Sequence, residues 1–595
     1  MTTSLEAQAG PPPKRATLGK MTGELMERLR CVLHQPSDSE PTAHTARGWV
    51  DLAYEAAYGE RYTAAVEAAA RGLEAPGAQD PENRLMLLRI LSGVNEMRGA
   101  SGLAAPYMAE RISLLRELGR SHQAEVEEQL GGILLREPDR VEGEILQRVA
   151  EDLRTDAPGS LILADVLSSL AVRVLHDEGP QASLPLVREA CEILEAQDKP
   201  QALAGSRMFL AHSLLLSGET QEALTVAEQV MAAPANRAVR GAMAMLRATI
   251  HHHQERHEEA MEVAMASVEL YAGCGVRKGA ASAAALLAGM TAVLEDGEVS
   301  VLAWKVAVQQ AELGEFDESR MLSLALGQQL LELQRHEEAE KILDGLSVRL
   351  AGTEEDLSTR GRALMGLGHA VTQQRRPVEA MAHWEEAAQL FVSSDELEEA
   401  VRAHLAAGAL AASLERTESA RTHYQEGLRL AEQSDDQDPL MLMQTLHSLG
   451  HLLTRTEDAA GLPHLEKALR IADEHGTPWQ IADVTDTLAR GHLALGQGTE
   501  AISAALSAAD LFAEAEDDPA SAEAEIFAAK VLLEMDRAEE AEAIFRMATD
   551  HRESDAELSA ETLEGRIDAL MQLGRADEAA ELRRELTRLK RRIKP

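Results

Sequence analysis

The residues in this sequence best suited to chemistry are histidines spaced four positions apart. Three consecutive histidines, 251–253, precede His257, and His447 precedes His451. Residues four apart share one face of a helix and imidazole is a common zinc ligand, so each set is a candidate for half of a metal site. The alternative for the first set is that the histidines are solvated or pack in a turn, because the internal repeat described below places a turn before His257. The alternatives for the second set are packing and a pH-sensitive contact. We therefore predict no bound metal or cofactor.

Other signatures of catalysis are missing from the sequence. It contains no GxxxxGK[ST] phosphate loop, no HExxH helix and no GxSxG nucleophile turn. The three cysteines, Cys31, Cys191 and Cys274, are too scattered for a disulfide scaffold or a cysteine-built zinc site, and they fit a reducing compartment. No signal peptide and no apolar stretch of membrane-spanning length is present. We predict a cytoplasmic protein that is not an enzyme.

The charge balance of the chain limits the classes of partner that it is expected to bind. The 595 residues include 100 Asp and Glu against 58 Lys and Arg, which gives a formal net charge of -42. Nucleic acids and anionic membranes bind basic surfaces, so neither is an expected partner of the general surface. Only 3% of the residues are aromatic, and most of the apolar residues are Ala and Leu, which are strong helix formers.

The helices that must position any binding residues can be read from an internal repeat. Each unit has a turn, then one or two acidic residues, then a small residue followed by apolar residues at helical spacing. These anchor positions, 37 to 42 residues apart, are Ala223, Ala260, Leu302, Ala339, Ala380, Ala420, Gly461, Ala501, Ala541 and Ala579, with Leu302 and Gly461 at the two places that lack an alanine. A second small residue lies 11 to 13 positions before each of the first nine anchors. This second series consists of Ala211, Ala248, Gly289, Gly327, Gly368, Gly408, Gly450, Ala489 and Ala529. Two antiparallel helices joined by a tight turn approach closely only at small residues, so the pattern predicts helix pairs.

This pattern resembles the tetratricopeptide repeat (TPR) family, in its long-helix variety with a period of about 40 residues. The first unit matches the family at Trp49, Leu52, Ala53, Tyr62, Ala65, Gly72, Leu73 and Pro76, and a middle unit at Leu364, Leu367, Gly368, Ala380, Trp384 and Ala387. The resemblance implies an all-α fold, a right-handed α-α superhelical solenoid of about 14 antiparallel helix pairs. Four segments are expected: a disordered lead-in at 1–20, a helix or linker at 21–45, the repeat array at 46–586 and a basic tail at 587–595. Repeats at about 121–200 are degenerate, with anchors expected at Glu144 and Leu184.

In the TPR family the first helix of each pair lines a concave groove in which peptides usually lie. Projected onto this sequence, the groove residues are Met208, His212, Met245, Met321, Gln328, Arg362, Met365, His369, Arg402, His447, His451, Arg455, Asp483, Asp486, Arg490 and Lys530. In one interpretation the four arginines form a ladder for an acidic or C-terminal carboxylate segment. In the other interpretation, the groove is merely less acidic than the rest of the surface, because acidic residues favour the starts of the second helices. No asparagine falls in the projected groove, which argues against the asparagine-based peptide binding common in the family.

The most favoured function is therefore a non-catalytic scaffold or adaptor that binds a protein or peptide partner, and the groove is the expected binding surface. The alternative is a signal-sensing regulatory protein that binds a small ligand or peptide and controls a partner. A homo-oligomer is compatible with both. The basic end of the chain is either a capping helix, whose cations favour its own C-terminus, or an electrostatic handle for an acidic surface.

Overall fold

The computed structural model describes residues 15–34, 43–58, 61–97, 101–121, 123–124, 127–128, 143–292, 297–314, 316–352, 356–433, 438–550 and 556–593. Over these ranges the regular elements are 28 α-helices, and there is no strand. The chain divides into two compact units, Met1–Leu333 and Gln334–Pro595. None of the described helices has both the length and the apolar character needed to cross a membrane.

The helices of the first unit, which we call unit 1, are α1 (Arg15–Leu33), α2 (Ala46–Tyr58), α3 (Tyr62–Glu74), α4 (Pro81–Met97), α5 (Ser101–Glu117), α6 (Gly143–Asp156), α7 (Leu161–Asp177), α8 (Pro180–Ala196), α9 (Pro200–Leu216), α10 (Thr220–Ala232), α11 (Arg237–His253), α12 (His257–Cys274), α13 (Arg277–Thr291), α14 (Glu298–Leu313) and α15 (Ser319–Glu332). Within unit 1, α2 packs with α3, and α4 packs with α5. The helices from α7 to α14 also form consecutive pairs, the first being α7 with α8 and the last α13 with α14.

The helices of the second unit, unit 2, are α16 (His336–Arg349), α17 (Leu357–Gln373), α18 (Pro377–Ser393), α19 (Leu397–Ser413), α20 (Thr417–Gln433), α21 (Pro439–Arg455), α22 (Gly461–His475), α23 (Pro478–Ala494), α24 (Gly498–Glu514), α25 (Asp518–Glu534), α26 (Ala538–Asp550), α27 (Ala556–Gln572) and α28 (Ala576–Ile593). From α17 to α28 they again form consecutive pairs, each joined by a short turn. The predicted all-α solenoid of helix pairs is confirmed. The earlier helix of a pair is called the first helix below, and the later one the second helix.

Small residues hold the two helices of a pair together, as predicted. A Cβ added at Gly408 on α19 would lie 2.5 Å from Tyr424 Cε1 on α20, and one added at Gly368 would lie 2.1 Å from Trp384 Nε1. Nearly all of the anchor residues are completely buried, including Ala223, Ala260, Ala339, Ala380, Ala420, Ala501, Ala541 and Ala579. The ring of the second helix therefore occupies the space that a side chain on the first would need.

One pair has a different register from the predicted one. Gly289 is exposed, with no atom within 4 Å of an added Cβ, and Leu302 is only partly buried. Instead Ala288 and Ala303 are fully buried at the contact, and Ser300 Oγ donates a hydrogen bond to the carbonyl oxygen of Ala288 at 3.0 Å. The expected pair Gly289 and Leu302 is thus wrong by one residue at each helix, because a buried hydroxyl bond and not residue size alone sets the register there.

The segment boundaries differ in part from those expected. Helix α1 begins at Arg15, inside the expected lead-in, whose residues 1–14 lie outside the described part of the chain. Helix α28 runs through the expected tail to Ile593. In the degenerate stretch, α7 and α8 form an ordinary pair, and Leu184 is buried on α8. The side chain of Glu144 is not among those described.

Helix α2 is held by a polar contact with a helix that starts about 180 residues later in the chain. The buried carboxylate of Glu55 accepts hydrogen bonds from the backbone N–H of Arg237, at the start of α11, and from Arg237 Nη2, both at 3.3 Å. Nearby, Arg61 Nη2 donates to the carbonyl oxygen of Cys274 at the end of α12, at 2.9 Å. A carboxylate at a helix N-terminus also interacts favourably with the helix dipole, so Glu55 fixes α2 against α11.

We expect Gly408→Leu to destabilise unit 2 by about 1–3 kcal/mol, because the added side chain has to displace the Tyr424 ring. Contacts in a solenoid are mainly between neighbours, so faster hydrogen exchange should start at α19 and α20 and spread outward. The matched control is Gly345→Leu, since an added Cβ at Gly345 meets no atom within 4 Å. Equal destabilisation by both substitutions would contradict the proposed close contact.

We expect Glu55→Ala to destabilise unit 1 by about 1–3 kcal/mol, because it removes a buried carboxylate that accepts hydrogen bonds from the first N–H of α11 and from the Arg237 side chain. Glu67→Ala, at an exposed carboxylate on the adjacent helix α3, is the control and should change the unfolding free energy by less than about 0.5 kcal/mol. Denaturant titration measures both. Faster exchange of the first amides of α11 in Glu55→Ala alone would assign the loss to this contact.

Candidate functional site

The predicted groove residues of unit 1 fall into two environments. Met208 lies inside the hydrophobic core and is only 9% exposed, so it does not line an open surface. Met245 is partly buried against the core. His212, Gln328 and Met321 are exposed, and Met321 is 52% accessible. The projection failed at Met208 because a first helix packs against neighbours on two sides, and an apolar side chain at a boundary position turns inward.

In unit 2 three of the four ladder arginines are already paired. Arg362 lies 3.1 Å from a Glu396 carboxylate oxygen, Arg402 2.9 Å from Glu399, and Arg490 2.7 Å from Asp486. Lys530 is likewise paired, with Glu561 on α27. Each of these cations is partly exposed and shares its charge with the protein's own acid. They are therefore poorer receptors for an acidic ligand than the sequence alone suggested.

Arg455 differs from the other ladder arginines. It is exposed at the end of α21, and within the described ranges it has no carboxylate at ion-pair distance and no hydrogen bond. It lines a cavity of about 130 Å³ together with Ala412, Tyr424, His447, Ser448, His451 and Leu452. Since a water molecule takes about 30 Å³ of liquid, the cavity has room for one small side chain or a few waters. Burial raises the pKa of Tyr424, and the Arg455 charge opposes that rise.

His447 links two neighbouring first helices behind this cavity. Its Nε2 lies 2.7 Å from Thr487 Oγ1 on α23, and its Nδ1 lies 3.6 Å from an Asp483 carboxylate oxygen. Burial lowers the pKa of His447 to about 4, so its imidazole is neutral at pH 7. Burial also lowers the pKa of His451, with smaller contributions from nearby His447 and Arg455. The pKa of Asp483 is raised by burial and by the neighbouring Asp486.

The two neutral imidazoles, the phenol and the guanidinium together can offer several hydrogen-bond donors and one positive charge to a ligand group. Arg490 is positioned by Asp486 and by the ring of Phe527, which lies 4.9 Å from its guanidinium carbon. Tyr424, Thr487 and Phe527 were not predicted as site residues. Tyr424 had a usable signal, because it lies on a second helix opposite Gly408.

The remaining predicted groove residues of unit 2 lie nearer its beginning. The exposed ring of His369 contacts Trp384 edge to face, with the ring centroids 5.4 Å apart. Trp384 Nε1 donates a hydrogen bond to the carbonyl oxygen of Met365, whose side chain is half-buried. Burial lowers the pKa of His369. These residues form an aromatic and polar patch between α17 and α18, on the same first helix as Arg362.

A second buried histidine pair lies between α19 and α20. His404 Nδ1 is 3.3 Å from His423 Nδ1, and His423 Nε2 is 3.3 Å from a Glu385 carboxylate oxygen. Burial, and then the nearby His423, lower the pKa of His404 to about 4. The sequence projection missed this pair because His404 lies on the side of α19 that faces its own second helix.

The histidines 251–253 and His257, the first candidate set of metal ligands, do not come together around one point. The His252 ring centroid lies 6.1 Å from that of His253 and 6.0 Å from that of His257. His251 is buried, and burial lowers its pKa. Across the described ranges, no group of three or more His, Cys, Asp or Glu side chains is placed to hold a metal ion.

Several solved helical-repeat structures are similar to this chain at low identity. No family model matches the chain, and no curated protein matches it either. The apo form of the quorum sensor NprR from B. thuringiensis is 15% identical, with a TM-score of 0.35 over 61% of this chain and 99% of that one. A STAND-type signal transduction ATPase with a tetratricopeptide repeat sensor, from Pyrococcus horikoshii, is 13% identical, with a TM-score of 0.41 over 81% of this chain and 72% of that one.

The anaphase-promoting complex hetero-tetramer Cut9-Hcn1 is 14% identical, with a TM-score of 0.32 over 91% of this chain and 98% of that one. At these identities and TM-scores the likeness assigns no ligand or partner. The chain is thus similar to TPR-type helical-repeat proteins.

We expect unit 2 to lose stability as the pH falls from about 6.5 to about 4. His404 and His447 both have lowered pKa values in the folded state, so in this range the unfolded chain binds more protons, and acid favours unfolding. Above pH 6.5 both states are neutral and the effect vanishes. Denaturant titrations at pH 7 and 5 should show a smaller difference for His447→Gln than for wild type. His475→Gln, at an exposed imidazole, is the control and should keep the wild-type difference.

Proposed function

We propose that this chain is a non-catalytic scaffold of the long-helix TPR type that binds a protein or peptide through the first helices of unit 2. The binding surface consists of the exposed polar residues of α17, α19, α21, α23 and α25. The observation that carries the proposal is the state of Arg455. On a chain of net charge -42, in which the neighbouring arginines pair with acids, this guanidinium lies unpaired in the described ranges, beside a small cavity.

The geometry favours a partner segment that inserts one small polar or acidic group. Arg455 supplies the positive charge, and the neutral imidazole of His451 and the phenol of Tyr424 add hydrogen-bonding capacity around the same cavity. A guanidinium without an ion-pair partner gives up only bound water when it binds an anion. A guanidinium that must first break an ion pair loses more free energy on binding. Arg362, Arg402 and Arg490 then act as a polar rim, and their contribution is weaker and more sensitive to salt.

The test compares partner capture by three forms of the full chain. Arg455→Glu should lose the proteins that wild type retains, with affinity reduced at least tenfold, since truncation or reversal of a central charged contact commonly costs about 2 kcal/mol or more. The matched control is Arg470→Glu on the second helix α22, which changes the net charge equally at another exposed arginine. Equal retention by all three forms, with unchanged helical content, would move the binding surface elsewhere.

The second candidate function is a sensor that binds a small ligand. It is favoured by a cavity of about 1060 Å³ among α25, α27 and α28, lined by Lys530, Glu561, Glu564, Asp568, Lys590 and Arg591. Because the lining includes positively and negatively charged side chains, the cavity suits a zwitterionic or polar molecule. A thermal-shift screen of small metabolites separates the two functions, because a sensor ligand should raise the melting temperature in wild type and in Arg455→Glu alike.

A further inference from the structure

The last helix of unit 2, α28, carries a row of arginines on its exposed side. Arg584, Arg588 and Arg591 are all exposed, and they lie four and three positions apart. Residues at these spacings share one face of a helix. At a rise of 1.5 Å per residue the three positions span about 10 Å along the helix axis. We call these three residues the arginine row.

The arginine row is not neutralised by the chain's own acids. Within the described ranges none of its three guanidiniums takes part in an ion pair, whereas the neighbouring Lys590 pairs with Glu564 on α27. Just before the same helix, Arg575 pairs with Glu578 of its first turn. The chain has 100 Asp and Glu against 58 Lys and Arg, so three adjacent cations without an acid of their own are a departure from its charge balance.

The dipole of α28 accounts for only part of the arginine row. Cations stabilise the C-terminal end of a helix, and the effect falls off within the last turn. Helix α28 ends at Ile593, so Arg591 lies in the last turn, whereas Arg588 and Arg584 lie five and nine residues before the end. Favourable capping of α28 therefore does not explain why the cations continue for two further turns.

The opposite face of α28 is already covered, which limits what can bind to the helix. Leu582 and Leu586 pack against the buried side chains of Ile567 and Leu570 on α27. A basic amphipathic helix binds a membrane by inserting its apolar face, and here that face is occupied. A nucleic acid would extend beyond the row, along a chain whose formal net charge is -42, and would be repelled there. A short acidic segment needs to reach only the row itself.

We propose that the arginine row of α28 binds an acidic peptide segment of a partner protein, as a second docking surface beside the Arg455 surface proposed above. Each guanidinium can hold one carboxylate with two parallel hydrogen bonds. Arg584 Nε donates to the carbonyl oxygen of Ala580 at 3.3 Å, which leaves its two terminal nitrogens for a ligand. Neighbouring members of the row are about 5–6 Å apart along the axis. Carboxylates three or four positions apart on a helix, or two apart on an extended chain, match this spacing.

Binding can be measured with the full chain by fluorescence anisotropy of a labelled oligoglutamate of about 12 residues, which spans the row in helical or extended form. Wild type should bind this probe, and the affinity should fall at least tenfold as the salt concentration rises from about 0.05 to 0.5 M. The triple variant Arg584→Glu, Arg588→Glu and Arg591→Glu should bind at least tenfold more weakly at the lower salt. The matched control reverses three other exposed arginines of unit 2 that have no ion pair in the described ranges, by Arg416→Glu, Arg470→Glu and Arg546→Glu. No binding by wild type, or equal losses in the two triple variants, overturns the proposal.

Further variants and probes separate this surface from others. Replacing the arginine row by glutamine removes the charge but keeps good helix formers, so affinity should fall while helical content is unchanged. Arg455→Glu should keep the wild-type affinity for oligoglutamate, and a loss in Arg455→Glu without a loss in the arginine-row variants overturns the proposal in favour of the groove. A short DNA duplex, or vesicles of equal parts phosphatidylserine and phosphatidylcholine, should bind at least tenfold more weakly than oligoglutamate. Equal or tighter binding of either also overturns it.

Discussion

The close approach of two helices within each pair is the constraint on which the rest of the structure depends. A ring on the second helix occupies the space left by a missing side chain on the first, as at Gly408 with Tyr424 and at Gly368 with Trp384. Such contacts need a small residue at one defined height of each helix, so the chain can be built mostly of Ala and Leu and still pack in one register. Its few aromatic residues serve these contacts instead of forming a large central core.

Several of the turns between paired helices also place acidic residues at the start of the second helix. At several second-helix starts an arginine lies three residues before a glutamate and pairs with it, as Arg537 does with Glu540 and Arg575 with Glu578. The arginine lowers the pKa of the glutamate in each pair. The acid therefore favours the helix start without a large local repulsion, and one arginine is paired at each of these turns. Arg455, which lies beside a cavity, has no such partner in the described ranges.

Unit 1 adds contacts that a simple array of repeats does not contain. Glu55 attaches α2 to the start of α11, and Arg28 attaches α1 to α12. Both contacts join residues more than 180 positions apart, and both use a charged group at a helix surface that the repeat pattern would leave to solvent. The early helices are thus structural partners of the later repeats as well as their predecessors in the chain.

The sequence by itself determined the helix pairs and most of their contact residues, because small residues at a constant offset and apolar residues at helical spacing are local properties. It also indicated the surface on which His447, His451 and Arg455 lie. Other features were decided by tertiary structure. Gly289 and Leu302 were displaced by Ala288 and Ala303 because Ser300 forms a buried hydrogen bond there. Some unpredicted contacts are nevertheless local. Arg402 and Arg490 pair with acids three and four positions away on the same helix. Glu415 has a φ of 57°, in a turn where the Arg416 N–H bonds to the Ala411 carbonyl oxygen. By contrast, the pairing of Arg362 with Glu396 and the docking of α1 depend on acids that only folding brings within reach, and no local pattern records those distances.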